Sequence, residues 1–99
     1  MINHISLNAV LCDIDNNDDI YRNVKIFRNY KNNDGYYQED IIRCMMWTKN
    51  NKNSLFSYKS GSLVSIDGRI EMIDNHIVVI VESMTLLCSN YIDYHLRAL

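Results

Sequence analysis

Two short stretches place a cation beside a bulky side chain at even spacing: Lys25-x-Phe27 and Ile41-x-Arg43-x-x-x-Trp47. Side chains two or four residues apart share one face of an extended strand. A face of that kind suits a flexible polyanion that carries flat rings. Cations neutralise phosphates, and aromatic faces stack on bases at about 1–3 kcal/mol per base. Lys31, Lys49 and Lys52 flank these stretches, and Arg28 and Tyr30 lie between them. Trp47 by itself reads as a core residue, because large aromatics are usually buried. Arg43 on the same face shifts it toward the surface.

The 99-residue chain has a formal charge of -2, which excludes a strongly basic tail. The charge is unevenly spread. Residues 1–19 carry -4, residues 20–59 carry +5 and residues 60–99 carry -3. The basic segment holds every residue named above, and it marks a candidate anion-binding surface. Charge runs also simply solvate a face, so the segment alone does not decide the matter.

Other chemistries find little support. There is no glycine-rich phosphate loop, no HExxH and no GxSxG, so the chain does not read as an enzyme. Asp13, Asp15, Asp18 and Asp19 lack the glycine and distal glutamate of a calcium loop. His4, His76 and His95 are isolated, and no metal or other cofactor is expected. Cys12, Cys44 and Cys88 are odd in number and widely spaced, which reads as reduced thiols in a cytoplasmic protein. No apolar run is long enough to cross a bilayer, and no signal peptide is visible.

The elements that must position the candidate residues repeat with a period of two. Ile5, Leu7, Ala9 and Leu11 mark a first strand. Residues 13–19 form an Asp/Asn-rich loop. A second strand over residues 20–30 puts Val24 and Ile26 on one face, Lys25 and Phe27 on the other. Asn32-Asn33-Asp34-Gly35 is a turn. A third strand over residues 36–47 puts Ile42, Cys44 and Met46 inward and Ile41, Arg43, Met45 and Trp47 outward. Residues 50–59 break the alternation and suggest a short helix or turn. A fourth strand over residues 63–73 sets Val64, Ile66, Ile70 and Met72 on one side, with a bulge or bend at Gly68. Asp74-Asn75 is a tight hairpin turn. The fifth strand, residues 76–87, is apolar on both faces, as a central strand is. Length allows one domain. Three strands, a short helix and two strands is the order of the OB-fold, a five-stranded, all-β Greek-key barrel. A generic small antiparallel barrel is the alternative from pattern alone. The barrel is expected over residues 1–88, with a short C-terminal extension over 89–99.

Several motifs occur in a matching order. They are Ile2-Asn3-His4-Ile5-Ser6-Leu7, Arg28-Asn29-Tyr30 before the turn, and the segment from Asp40 through Trp47 to Lys49. The most specific is Lys59-Ser60-Gly61-Ser62-Leu63-Val64-Ser65-Ile66-Asp67-Gly68-Arg69-Ile70. Together they resemble the bacterial single-stranded DNA-binding protein (SSB) family, which writes the last motif K-G-S-x-V-x-V-x-G-R-L. The resemblance runs over about residues 2–87. It implies an OB-fold, binding of single-stranded DNA without sequence preference in replication, recombination or repair, and a homo-oligomer, dimer or tetramer. It also places Trp47 and Tyr30 at base-stacking positions and Ile41 at a third, where an aliphatic side chain stacks less well. The chain departs from the family in a trimmed hairpin at Asp74-Asn75 and in Ala9-Val10 where a Gly-Arg pair is usual. It also shows no acidic tip for recruiting replication proteins, which suggests a trimmed paralogue or a phage or mobile-element version.

The expected interface is therefore Trp47, Tyr30, Arg43, Lys49, Phe27, Lys25, Arg28, Lys31, Lys52, Arg69 and Ile41. Phe27 has a second reading as an oligomer contact, and Arg69 as a structural residue. The alternative function is an OB-fold protein-interaction module, a primosome-like accessory with weak nucleic-acid binding. RNA binding is a third reading.

Overall fold

The computed structural model describes residues 1–15, 20–46 and 55–91. Five strands follow in chain order: β1 (Ile5–Leu11), β2 (Tyr21–Lys31), β3 (Tyr37–Met46), β4 (Leu63–Ile73) and β5 (His76–Cys88). They close into a barrel in the order β1-β2-β3-β5-β4. All neighbours are antiparallel except β3 and β5, which run parallel. This is the expected all-β OB barrel. Of the short helix expected between β3 and β4, the described residues hold only Leu55 and Phe56 in helical conformation.

Period-two alternation builds the interior. Ala9, Leu11, Val24, Cys44, Met46, Val64, Ile66, Val79 and Val81 form the core, and Leu55 plugs it from the β3–β4 connection. Each fully buried Val, Leu or Ile stabilises the fold by about 1.5–3 kcal/mol relative to exposure. β5 lies between β3 and β4, and Val78 and Ile80 on its other face are buried as well. That is why the strand is apolar on both sides.

β4 departs from the expected pattern. Val64 and Ile66 are buried, but Ile70 and Met72 are exposed. A bulge falls between Asp67 and Gly68, and the last residue of β4 paired to β1 is Gly68, opposite Ile5. Beyond that point β4 keeps its pairing with β5 through Ile73 but loses β1, so its side chains leave the barrel. One side-chain amide extends the ladder by a step: Asn3 Nδ2 donates to Ile70 O at 2.7 Å, and Ile70 N donates to Asn3 Oδ1 at 3.2 Å. Gly68 itself is dictated by close approach, since a Cβ there would sit 2.0 Å from the Ile80 carbonyl oxygen.

The two hairpin turns follow their residues. Asp74 and Asn75 both have positive φ, 51° and 66°, the conformation a two-residue type I′ hairpin needs and Asp and Asn tolerate. At the β2–β3 tip, Asn32 Oδ1 accepts from the backbone N–H of Asp34 and of Tyr36, each at 3.0 Å.

Candidate nucleic-acid interface

β2 and β3 pair in register, Asn23 with Arg43, Lys25 with Ile41 and Phe27 with Glu39. Their outward side chains therefore make one surface. Ile41 and Arg43 are exposed on it, and Tyr21, Lys25 and Phe27 are half-buried. The Arg43 guanidinium lies 5.0 Å from the centroid of the Tyr21 ring. Stacking of that kind holds a guanidinium in place while its edge N–H groups remain donors. Lys25 Nζ stands 3.5 Å from Glu39 Oε2, an exposed ion pair of small energy. Near the tip, Lys31 Nζ lies 5.5 Å from the centroid of the Tyr37 ring.

The other expected residues are placed elsewhere. Arg28 is on the opposite pleat of β2. Its Nε and Nη2 donate to the two carboxylate oxygens of Asp40 at 3.1 and 2.9 Å, and its Nη1 donates to Gln38 Oε1 at 2.8 Å. Tyr30 belongs to this group, with its hydroxyl 3.4 Å from Arg28 Nη1. A register shift between Phe27 and Lys31 lies beside it. Arg28 holds the Asp40 carboxyl below the usual carboxylate range, chiefly through these hydrogen bonds. Arg69 sits on β4 against Glu71 at 3.0 Å and Glu82 at 3.7 Å. Trp47, Lys49 and Lys52 lie outside the described residues.

One cation of the basic segment is not at the surface at all. Arg22 is 1% exposed. It donates to Cys12 O from Nε and Nη2 at 3.1 and 3.0 Å, and from Nη1 to Leu55 O at 2.9 Å and Tyr58 O at 2.7 Å. Burial lowers its pKa from the ordinary arginine value. The guanidinium ties the end of β1 to the chain that leads into β4. The signal was present in the sequence, since Arg22 is in phase with Val24 and Ile26. Tyr21 and Asn23, in phase with Lys25 and Phe27, are the surface residues that sequence reasoning passed over.

A Streptococcus pyogenes protein, "Single-stranded DNA-binding protein 1", is 43% identical over 44 residues, 44% of this chain and 34% of the relative. Over those 44 residues the chain is similar to a bacterial single-stranded DNA-binding protein. The match spans about a third of that relative's length. No known protein-family profile matches the chain. Among solved structures, the small single-stranded DNA-binding protein of Streptomyces coelicolor superposes with a TM-score of 0.63 at 9% identity, covering 88% of this chain and 95% of that one. The Plasmodium falciparum SSB, in complex with ssDNA, gives 0.59 at 16% identity, covering 88% and 96%. At these identities the structural likeness concerns the fold.

No group of three His, Cys, Asp or Glu among the described residues is placed to hold a metal ion. Cys44 is buried, and burial pushes its thiol up to about 12, which leaves it protonated and unreactive at neutral pH. No helix among the described residues is long and apolar enough to cross a membrane.

Proposed function

We propose that the chain binds single-stranded DNA without sequence preference, in replication, recombination or repair, through the outward face of β2 and β3. One observation carries the reading. Lys25, Phe27, Ile41 and Arg43 meet in register on the surface of an OB barrel, the face on which this fold takes oligonucleotides. Lys25, Arg43 and Lys31 supply charge to phosphates. Phe27 supplies a ring to bases, joined by Trp47 as the family resemblance implies. The activity is binding without chemistry, in the cytoplasm, by a chain that self-associates as a dimer or tetramer.

Titration of labelled oligo-dT by fluorescence anisotropy tests it. Binding should weaken as salt rises, by a slope of about -0.7 in log K against log salt for each phosphate neutralised. Quenching of Trp47, the single tryptophan, should accompany it, and Trp47→Ala should weaken binding by about 1–3 kcal/mol. No binding at low salt would remove the reading. Competition between oligo-dT and oligo-U separates DNA from RNA, and a mass measurement in solution gives the oligomeric state.

A protein-interaction module is the second reading. It is favoured by the carboxylates that already face Lys25, Arg28 and Arg69, which reduce the charge left for phosphates. Recovery of a helicase or recombinase by the chain, with no shift of oligo-dT, would select it.

A further inference from the structure

The outward face of β2 and β3 carries carboxylates along both of its sides. Asn23 fixes one of them. It pairs with Arg43 of β3, and on its other side its carbonyl accepts from Cys12 N at 3.1 Å. Asp13 therefore sits along the β1 edge of β2. It lines a hollow of about 100 Å³ with Asp15, Tyr21 and Arg43, and a second hollow with Lys25 and Lys59. On β3, Glu39 stands opposite Phe27 in register, with Oε2 3.5 Å from Lys25 Nζ. Asp13 and Glu39 are both exposed. Lys25 and Arg43 thus lie in a corridor between carboxylates. From the line of β1 to that of β3 is two strand spacings, about 10 Å.

Building on the single-strand reading, we propose that Asp13 and Glu39 are specificity-determining residues, which select single strands by repelling the second backbone of a duplex. The corridor admits one backbone. A flexible single strand sets phosphates at Lys25 and Arg43 and turns bases toward Phe27, so that ring contact adds to the attraction of charge. A duplex keeps its bases stacked inside and presents phosphates alone, one charge per about 1.7 Å of axis. Its two backbones are separated by grooves of about 6 and 12 Å. When one of them lies on Lys25 and Arg43, the other falls on a line of carboxylates. Lys25 gives up Glu39 for a phosphate of either ligand, and that step lowers both affinities. The second backbone is opposed in the duplex alone. Specificity often rests on a repulsive element of this kind beside the attractive one. Within the corridor Asp13 and Glu39 match Lys25 and Arg43 in charge, so a ligand that offers only phosphates gains little there.

The test compares two labelled probes by anisotropy at one low salt concentration. They are oligo-dT of about 16 nucleotides, within the site size of one OB-fold, and a blunt duplex of the same length. The native chain should bind the dT strand more tightly. Asp13→Asn combined with Glu39→Gln should raise duplex affinity by about tenfold and dT affinity by no more than about threefold. The figure follows from a phosphate about 6 Å from a carboxylate in water, disfavoured about threefold for each pair. Each single substitution should give about threefold for the duplex. Asp74→Asn, in the β4–β5 turn, removes one charge away from this face and keeps a residue that tolerates the positive φ there. It should change neither affinity. Urea midpoints close to the native value show that the variants fold. Duplex and dT affinities that rise by one common factor make the carboxylates a general brake on binding; that result overturns the proposal and leaves the binding face standing. So does an unchanged duplex affinity in the double variant. An equal gain in Asp74→Asn assigns the effect to net charge and overturns the proposal in the same way. A native chain that binds neither probe overturns the proposal and the single-strand reading together.

Discussion

The β2–β3 hairpin has two sides that use the same residue type in opposite ways. On the outward side, Arg43 is exposed and lies against Tyr21. On the inward pleat, Arg22 is sealed under the barrel wall and Arg28 is clamped by Asp40 and Gln38. Arg22 and Arg43 are close neighbours, since Asn23 is the register partner of Arg43. The difference is strand phase. Of the odd-numbered cations in this hairpin, Lys31 and Arg43 are exposed, while Lys25 is half-buried and faces Glu39. An even-numbered one meets carbonyls or a carboxylate and holds the chain together. Net charge over a segment therefore overstates what a ligand can feel.

The sharpest way to break this contrast is Arg22→Leu. It strands the carbonyls of Leu55 and Tyr58 and leaves that of Cys12 to Ser60 Oγ alone, and each buried acceptor left unpaired costs about 1–3 kcal/mol. A loss of about 3–5 kcal/mol is expected in urea unfolding, with Arg22→Lys recovering part of it. Arg43→Leu, one step away on the other face, should leave the urea midpoint within about 0.5 kcal/mol, as surface changes do. Equal losses for the two would dissolve the distinction.

The next effects are on binding. Phe27→Ala should cost about 1–3 kcal/mol of oligo-dT affinity if the ring stacks on a base. Arg43→Ala should weaken binding and flatten the salt slope by about 0.7, the share of one phosphate. Arg28→Ala should leave that slope unaltered, because its guanidinium faces Asp40. A slope change at Arg28 equal to that at Arg43 would show that both sides of the hairpin touch the strand.

The smallest effect concerns pH. The Asp40 carboxyl is held below its ordinary pKa by Arg28. Its contribution to hairpin stability is therefore complete above the unfolded carboxylate value, about 3.9. It fades as pH falls through the lower folded value. An NMR titration of the Asp40 side chain should show a midpoint below the ordinary one, moving up toward it in Arg28→Ala.

Much of the architecture was legible from residue order. Alternation in β1, β2 and β3 assigns their inner and outer faces, because one face of each strand packs on the core and the other does not. Asp74-Asn75 and Asn32–Gly35 signal turns because Asn, Asp and Gly tolerate positive φ. Of the site, the shared outward face of Lys25, Phe27, Ile41 and Arg43 was legible for the same reason. Arg28 and Tyr30 were not separable from it by charge and ring count, because their environment is made by Gln38 and Asp40 across the hairpin.

The amino-acid sequence by itself determined the strand periods, the turns and the concentration of cations and rings in residues 20–59. These are local properties, carried by side-chain alternation and backbone preference. The tertiary structure alone decided which cations remain for a ligand, and it also decided that Ile70 and Met72 leave the core. Both outcomes depend on partners distant in the chain. Arg22 needs the carbonyls of Cys12, Leu55 and Tyr58, and the burial of β4 ends where β1 ends, at the pair Ile5 and Gly68.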